Sequence, residues 1–202
     1  MSDMMNDQAS QKKQLRREAL ARRNALDPDW RAEVAEALAS QAQRIAVGSG
    51  TVVSGFWPMR SEMDVRPLMA VLAARGARIA LPAILDRTTI VFREYRPDAP
   101  LVDMGFGTWG PDDRAAVLDP EIMLVPLAAF DARGHRIGYG AGYYDRAIAR
   151  LKARGLSPRL IGIAFDCQEV GGVPDEPHDE RLPEMLTESG LRQISGFHAQ
   201  KN

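Results

Sequence analysis

Apolar positions along this chain come in two alternating kinds of run. Residues 51–57, 77–81, 90–95, 122–130 and 159–165 are short stretches rich in aliphatic, β-branched and aromatic residues, and they read as strands. Pro58 ends the first of them and Pro82 the second. Between them lie stretches with helical character. Residues 11–24 carry strong helix formers and few breakers. Asp27-Pro28-Asp29 restarts the chain, and Asp29 is read as the cap of a helix over residues 30–45. Asp64 is placed to cap a helix over residues 66–74, with Gly76 closing it. Tyr144, Ala147, Ile148 and Leu151 recur at i, i+3, i+4 and i+7, one face of a further helix. Residues 96–120, with Pro97, Pro100, Pro111 and Pro120, read as a long ordered loop, and residues 168–183 as a second loop. Short elements near residues 184–188 and 191–196 finish the chain. Strands alternating with helices predict an α/β protein whose largely parallel sheet is covered on both faces.

A length of 202 residues suits one domain, expected over residues 11–202 after a polar, disordered tail at 1–10. The net charge of −1 gives no global pull toward nucleic acid or anionic lipid, so neither is expected as a partner. With one cysteine, Cys167, no disulfide framework or zinc cluster forms within the chain. No apolar run of membrane-spanning length is present, and the first residues contain no apolar signal core. A cytoplasmic location is therefore expected.

The chemistry concentrates between residues 122 and 151. An apolar strand leads into a turn with Arg133, Gly134 and Arg136, then Gly138, Gly140 and Gly142, then a helix opening on Tyr143, Tyr144 and Asp145. Glycines spaced by two let the backbone N–H groups approach an anion, and a helix N-terminus adds free donors. Arg136 adds a full charge, and Asp145 is placed to hold a metal beside a polyphosphate. The spacing is neither the G-x-G-x-x-G of dinucleotide folds nor a P-loop. Asp166 nevertheless lies where a ribose-binding acid would sit, which keeps nicotinamide or sugar-phosphate binding open as a rival. A plain connecting turn is the bland alternative. For Asp145 the bland alternative is a helix-dipole carboxylate.

Other candidates are weaker singly. Asp179 is a possible second ligand for Mg²⁺, which commonly takes one or two protein carboxylates beside substrate phosphates. Lys12 and Arg16 lie one turn apart on a basic helix and share a face that could grip phosphate oxygens, although a solvated face is the commoner explanation of such a run. Trp57 could stack on a flat heterocycle, and Glu62 could accept from its ring N–H and amino groups; a core Trp and a surface acid are the alternatives. Tyr143 and Tyr144 differ by about 100° around a helix, so one is expected to face the core and the other the site. Cys167 reads as structural, and His178 and His198 receive no role.

Taken together, LVPLAAFDARGHRIGYGAGYYDR, residues 124–146, resembles the signature of the 5-formyltetrahydrofolate cyclo-ligase family. Residues 12–26, 56–68 and 160–188 resemble, in order, that family's basic first helix, its folate-side segment and its C-terminal part. The resemblance implies a Rossmann-like three-layer α/β/α sandwich. It also implies ATP-dependent closure of 5-formyltetrahydrofolate to 5,10-methenyltetrahydrofolate with Mg²⁺, through a phosphorylated formyl group (an iminium phosphate), in a monomeric protein. By the same resemblance, Lys12, Arg16 and Arg136, Ile137, Gly138, Tyr139, Gly140, Ala141, Gly142, Tyr143 and Tyr144 match nucleotide-binding positions. Trp57, Glu62, Tyr139 and Tyr143 match substrate positions, and Asp145 and Asp179 match metal positions. Arg136, Tyr143 and Asp145 are the implied catalytic residues. The chain departs from the pattern at Gly110, Ala141 and Pro183, none of which is assigned chemistry through its side chain. A folate- or nucleotide-binding protein without catalysis stays as a further alternative.

Overall fold

The structure is a computed structural model that describes residues 2–105, 107–176 and 179–194, with side chains from residue 7 onward. In chain order it contains α1 (Ser2–Asn24), α2 (Pro28–Ala39), a 3₁₀ turn (Ser40–Arg44), β1 (Val52–Ser54), α3 (Arg66–Ala74), β2 (Arg78–Ile84) and β3 (Ile90–Glu94). Four short strands follow: β4 (Leu101–Asp103), β5 (Trp109–Pro111), β6 (Val117–Leu118) and β7 (Ile122–Pro126). Then come β8 (Ala129–Asp131), β9 (Arg136–Ile137), α4 (Tyr143–Ala153) and β10 (Arg159–Ile163). A 3₁₀ turn (Asp166–Gln168), β11 (Glu169–Val170), β12 (Glu184–Thr187) and β13 (Gly190–Gln193) complete it.

An eight-stranded sheet runs in the order β13-β12-β10-β7-β1-β2-β3-β6. The pairs from β12 to β2 are parallel, and the outer strands at both edges are antiparallel. Side-chain alternation explains why both faces are covered. Leu124, Ile161, Ile163, Ile79 and Leu81 pack with Val34 and Leu38 of α2 and Leu68 and Leu72 of α3. Their neighbours Met123, Val125, Leu160 and Ala80 pack with Ala147, Ile148 and Leu151 of α4. A strand apolar on both faces belongs in the middle of such a sandwich, so the expected three layers form. The stripe on α4 faces the sheet as its spacing requires. Among the described residues no helix is long and apolar enough to cross a membrane.

Several local expectations give way. The first helix begins at Ser2 and so takes in most of the positions expected as a disordered tail. Within it, Gln11 Nε2 donates to Asp7 one turn earlier. The second helix is capped by Asp27, whose Oδ1 accepts from the N–H groups of Asp29 and Trp30, each at 2.9 Å. Pro28 then occupies the first turn, where its missing N–H costs nothing. Strand β2 continues through Pro82 to Ile84, because β1 stops opposite Ala80 and only β3 pairs with β2 beyond that point. Residues 96–120 are not a plain loop. They hold the β4–β5 ribbon and β6, which pairs with β3. The strand expected over residues 122–130 breaks after Pro126, and β8 leaves for a separate three-stranded sheet, β11-β8-β9.

The competing caps give a clean test. Asp27→Ala should lower the unfolding free energy by about 1 kcal/mol, whereas Asp29→Ala should change it by no more than a few tenths. Urea unfolding of both variants checks the assignment; equal losses would overturn it.

Candidate functional site

The glycine loop is delivered by the β8–β9 hairpin, and that hairpin is built around Asp131. This carboxylate is 1% exposed and accepts from the backbone N–H of Arg133 at 2.9 Å, His135 at 3.1 Å and Val173 at 2.9 Å. Arg133 Nη2 adds a charged bond at 2.8 Å. Burial pushes the Asp131 carboxyl up, but these bonds outweigh it and hold the group below the ordinary carboxylate range. Gly134, at φ +85°, forms the turn, and a Cβ there would run into the carbonyl oxygen of Leu182. Leu182 N donates to Gly134 O at 2.8 Å, pinning the hairpin to the segment before β12.

From this hairpin Arg136 turns inward. Its buried guanidinium pairs with Asp145 Oδ1 at 2.6 Å and donates through Nη1 to the carbonyl of Glu180. Glu180 N reaches the same Asp145 oxygen at 3.4 Å, and Glu180 Oε2 pairs with Lys152 at 2.5 Å. Asp145 and Asp179, separated in sequence, thus lie on segments that touch. Asp179 Oδ2 accepts from Lys12 Nζ at 2.8 Å and from Glu176 N at 3.0 Å. Burial lowers the Lys12 pKa, but the Asp179 and Glu176 carboxylates more than reverse this and leave it raised. Arg16 Nε donates to Gly138 O at 2.7 Å, with its guanidinium beside Gly140. Lys12 and Arg16 therefore do reach the glycine loop and its acidic neighbour, as their shared face requires.

Gly142 takes the left-handed conformation at φ +65° and begins α4 with no side-chain cap, leaving the first N–H groups at the mouth of a cavity. That cavity, about 360 Å³, is lined by Gly138, Tyr139, Ala141, Gly142, Tyr143, Tyr144, Arg136 and Asp145 on the loop side. Trp57, Met59, Arg60 and Glu62 line the other wall, and Phe56, Pro82, Ile84 and Ile90 supply apolar surface. Trp57 meets Tyr95 edge-on, with ring centroids 6.1 Å apart, and carries the Arg66 guanidinium at 5.1 Å. Ile137 faces the small core beneath the loop, with Ala19 and Ala129.

Glu62 is 7% exposed. Its Oε2 accepts from Met59 N at 2.7 Å, while its Oε1 is buried with no hydrogen-bond partner. Burial pushes its carboxyl up, against the Tyr139 hydroxyl, the Met59 N–H and the Arg23 charge, which favour ionisation. The hydroxyl of Tyr144 is likewise buried and unpartnered. Burial, then the Glu62 charge, pushes its ionisation far upward, so it stays a donor. An orphan acceptor from one wall of the cavity and an orphan donor from the other fit a ligand with complementary polar edges. Both tyrosines line the cavity, so the expected division of one to the core and one to the site does not hold. Tyr143 Oη donates to Asp86 O at 3.2 Å, and Tyr144 packs its ring on Phe92.

Asp166 lies outside the cavity. Its N–H donates to Glu188 at 2.9 Å and its carboxylate accepts from Ser189 Oγ. It is therefore not placed as a ribose ligand of this loop. Cys167 is partly buried and its carbonyl accepts from Arg22 Nε at 2.7 Å. His178 and His198 lie outside the described residues. Sequence reasoning counted Arg23 only as one charge of the basic first helix and gave no role to Asp131 or to Arg146, which donates to Thr88 O and Ala141 O. Arg23 had a signal: it continues the Lys12–Arg16 face at i+11.

No group of three or more His, Cys, Asp or Glu side chains suited to a metal forms among the described residues. A hard cation bound chiefly by phosphate and water needs less. Both bonds of Asp145 fall on Oδ1, and the residue lines the cavity, so the donor set fits a single carboxylate contact to Mg²⁺.

Fold and site together define an α/β protein in which a glycine loop and a helix N-terminus share one cavity with an aromatic, acid-bearing wall. Comparison with known proteins identifies its kind. The model of the 5-formyltetrahydrofolate cyclo-ligase family matches residues 8–188. The 5-formyltetrahydrofolate cyclo-ligase of Escherichia coli (strain K12) is 30% identical over 175 residues, 83% of this chain and 95% of that protein. The protein of the same name from Mycolicibacterium smegmatis is 30% identical over 187 residues, 87% of this chain and 93% of its own length. The solved structure of Aquifex aeolicus 5,10-methenyltetrahydrofolate synthetase superposes with a TM-score of 0.74 at 24% identity, covering 95% of this chain and 96% of that one, and shows the same fold. This chain belongs to the 5-formyltetrahydrofolate cyclo-ligase family.

The orphan atoms make a prediction about the free protein. Tyr144→Phe should raise its stability by about 1 kcal/mol. Glu62→Gln should raise the melting temperature at neutral pH. Because the folded pKa of Glu62 is raised, its penalty is absent below the ordinary carboxyl pKa of about 4.3. It grows as pH rises and is complete above the raised value. The gap between Glu62→Gln and the parent should therefore close on acidification; a gap independent of pH would contradict a strained, ionisable Glu62.

Proposed function

We propose that this chain is a cyclo-ligase that closes 5-formyltetrahydrofolate to 5,10-methenyltetrahydrofolate, with conversion of ATP to ADP and phosphate. The observation that carries the reading is the single cavity with two unlike walls. One presents backbone donors, a helix N-terminus and Arg136; the other presents Trp57 and the unpartnered Glu62 Oε1. Nearly the full length of two relatives named for this activity supports it.

A formamide oxygen is a poor leaving group, so the first step transfers the γ-phosphoryl group of ATP to the formyl oxygen, and ADP departs. N10 of the folate then attacks the formyl carbon and gives up its proton to the phosphate oxygens. The C–O bond breaks, the oxygen leaves with phosphate, and the five-membered ring is closed. Little covalent chemistry falls to the protein, whose work is alignment and charge stabilisation. Glu62 takes the N–H edge of the pterin and Trp57 bounds its ring, with Tyr139 and Tyr143 closing the cleft. The N–H groups of Gly138 to Gly142 and the start of α4, with Lys12, Arg16 and Arg136, hold the phosphates. Asp145, with Asp179 on the adjoining segment, would hold Mg²⁺, which would neutralise charge on the phosphoryl oxygens. Apolar walls from Phe56, Ile84 and Ile90 keep water from the activated carbon.

Absorbance at the methenyl-folate band, with 5-formyltetrahydrofolate and Mg²⁺, should grow only when ATP is added. No growth from folded protein would reject the cyclo-ligase reading. Asp145→Asn should lower turnover on the order of 100-fold with a far smaller loss of stability, and unchanged turnover at saturating Mg²⁺ would remove its metal role.

A further inference from the structure

Arg23 stands in the last turn of α1 and is 3% exposed. Guanidinium groups are seldom buried so deeply without partners. Its Nε donates to Ser61 Oγ at 3.0 Å and its Nη1 to Tyr139 Oη at 2.6 Å. Its Cζ lies 5.9 Å from the centre of the Tyr139 ring, and Ser61 in turn bonds Asn24. Ser61 immediately precedes Glu62, the buried acid of the cavity. Lys12, Arg16, Ala19 and Arg23 follow one another at i, i+4, i+7 and i+11 and so share a helix face. Arg16 grips Gly138 and Arg23 grips Tyr139, so this face holds two consecutive residues of the glycine loop.

We propose that Arg23 is a positioning residue for the substrate: it locks Tyr139 at the cavity wall and holds a positive charge toward Glu62. Recognition of the folate then requires α1 to be seated. Because this builds on the folate reading of the cavity, Arg23 acts through Glu62 and Tyr139 and need not touch the reacting atoms. The groups facing Glu62 are few. Arg23 comes from α1, Tyr139 from the glycine loop, Tyr144 from α4, and the Met59 N–H from its own turn. Of these Arg23 is the cation, and its charge favours the ionised carboxylate that a pterin N–H edge needs.

Arg23→Met keeps length and apolar packing while removing charge and donors; Arg23→Lys keeps the charge. Arg23→Met should raise KM for 5-formyltetrahydrofolate about tenfold or more, from the loss of charged hydrogen bonds, with KM for ATP within about twofold. The acid limb of kcat/KM for the folate should move to higher pH, and Arg23→Lys should bring it back. Tyr139→Phe should raise the same KM, and the double variant should be little worse than either single one, since both break one link. In the ligand-free protein, ¹³C NMR of the Glu62 carboxyl, assigned with Glu62→Gln, should show a higher pKa in Arg23→Met than in the parent. An unmoved Glu62 titration would overturn the proposal. So would an unchanged folate KM, or equal rises in both KM values with a lowered melting temperature. If the parent protein itself shows no turnover, the cyclo-ligase reading fails separately, and the Glu62 titration still decides whether Arg23 governs that acid.

Discussion

The site depends on one buried carboxylate. Asp131 gathers N–H groups from its own turn and from Val173, across a loop remote in sequence, and so fixes where the β8–β9 hairpin ends. A buried acid that collects several donors is rigid in a way an apolar contact is not, because each lost bond leaves a desolvated charge. Arg136 and the glycine loop inherit their placement from that anchor. Neither the sheet nor α4 alone could aim them, since the loop itself consists largely of residues without side chains to pack.

Two of the cations at the free site are already paired with its acids. Lys12 is paired with Asp179, and Arg136 with Asp145. In the role proposed for this site, a nucleotide would bring anions for the two cations while a divalent ion would take the two carboxylates. Partners are exchanged rather than created, so little naked charge is exposed at any stage.

Much of this was legible in the chain. Apolar runs bounded by turn residues gave the strands, and the Tyr144–Leu151 spacing gave the buried face of α4. Glycines at 138, 140 and 142 marked the loop, because few other sequences need so many positions without a Cβ beside a helix start. What escaped depends on partners distant in sequence. The β4–β5 ribbon is made of strands of three residues, too short for a period to register. Strand β2 crosses Pro82 only because its neighbour happens to end first. Asp27 and Asp29 are alike as letters, and only Pro28 at the first helical position separates them. Arg23 read as one more charge on a basic helix, since nothing local shows that its end of α1 is covered by Ser61 and Tyr139.

The same glycines restrict how the family could drift from this sequence. At Gly142 a Cβ would fall 2.7 Å from Arg146 Nη1, and at Gly140 the Arg16 guanidinium already sits at contact distance, 3.8 Å. Both glycines also hold positive φ. A side chain gained at Gly142 would displace only the flexible end of Arg146, so the left-handed backbone sets the larger cost. Drift at these two positions is held back by backbone shape more than by space, and at Gly142 asparagine and aspartate, which enter the left-handed region at least cost, are the side chains the loop admits first.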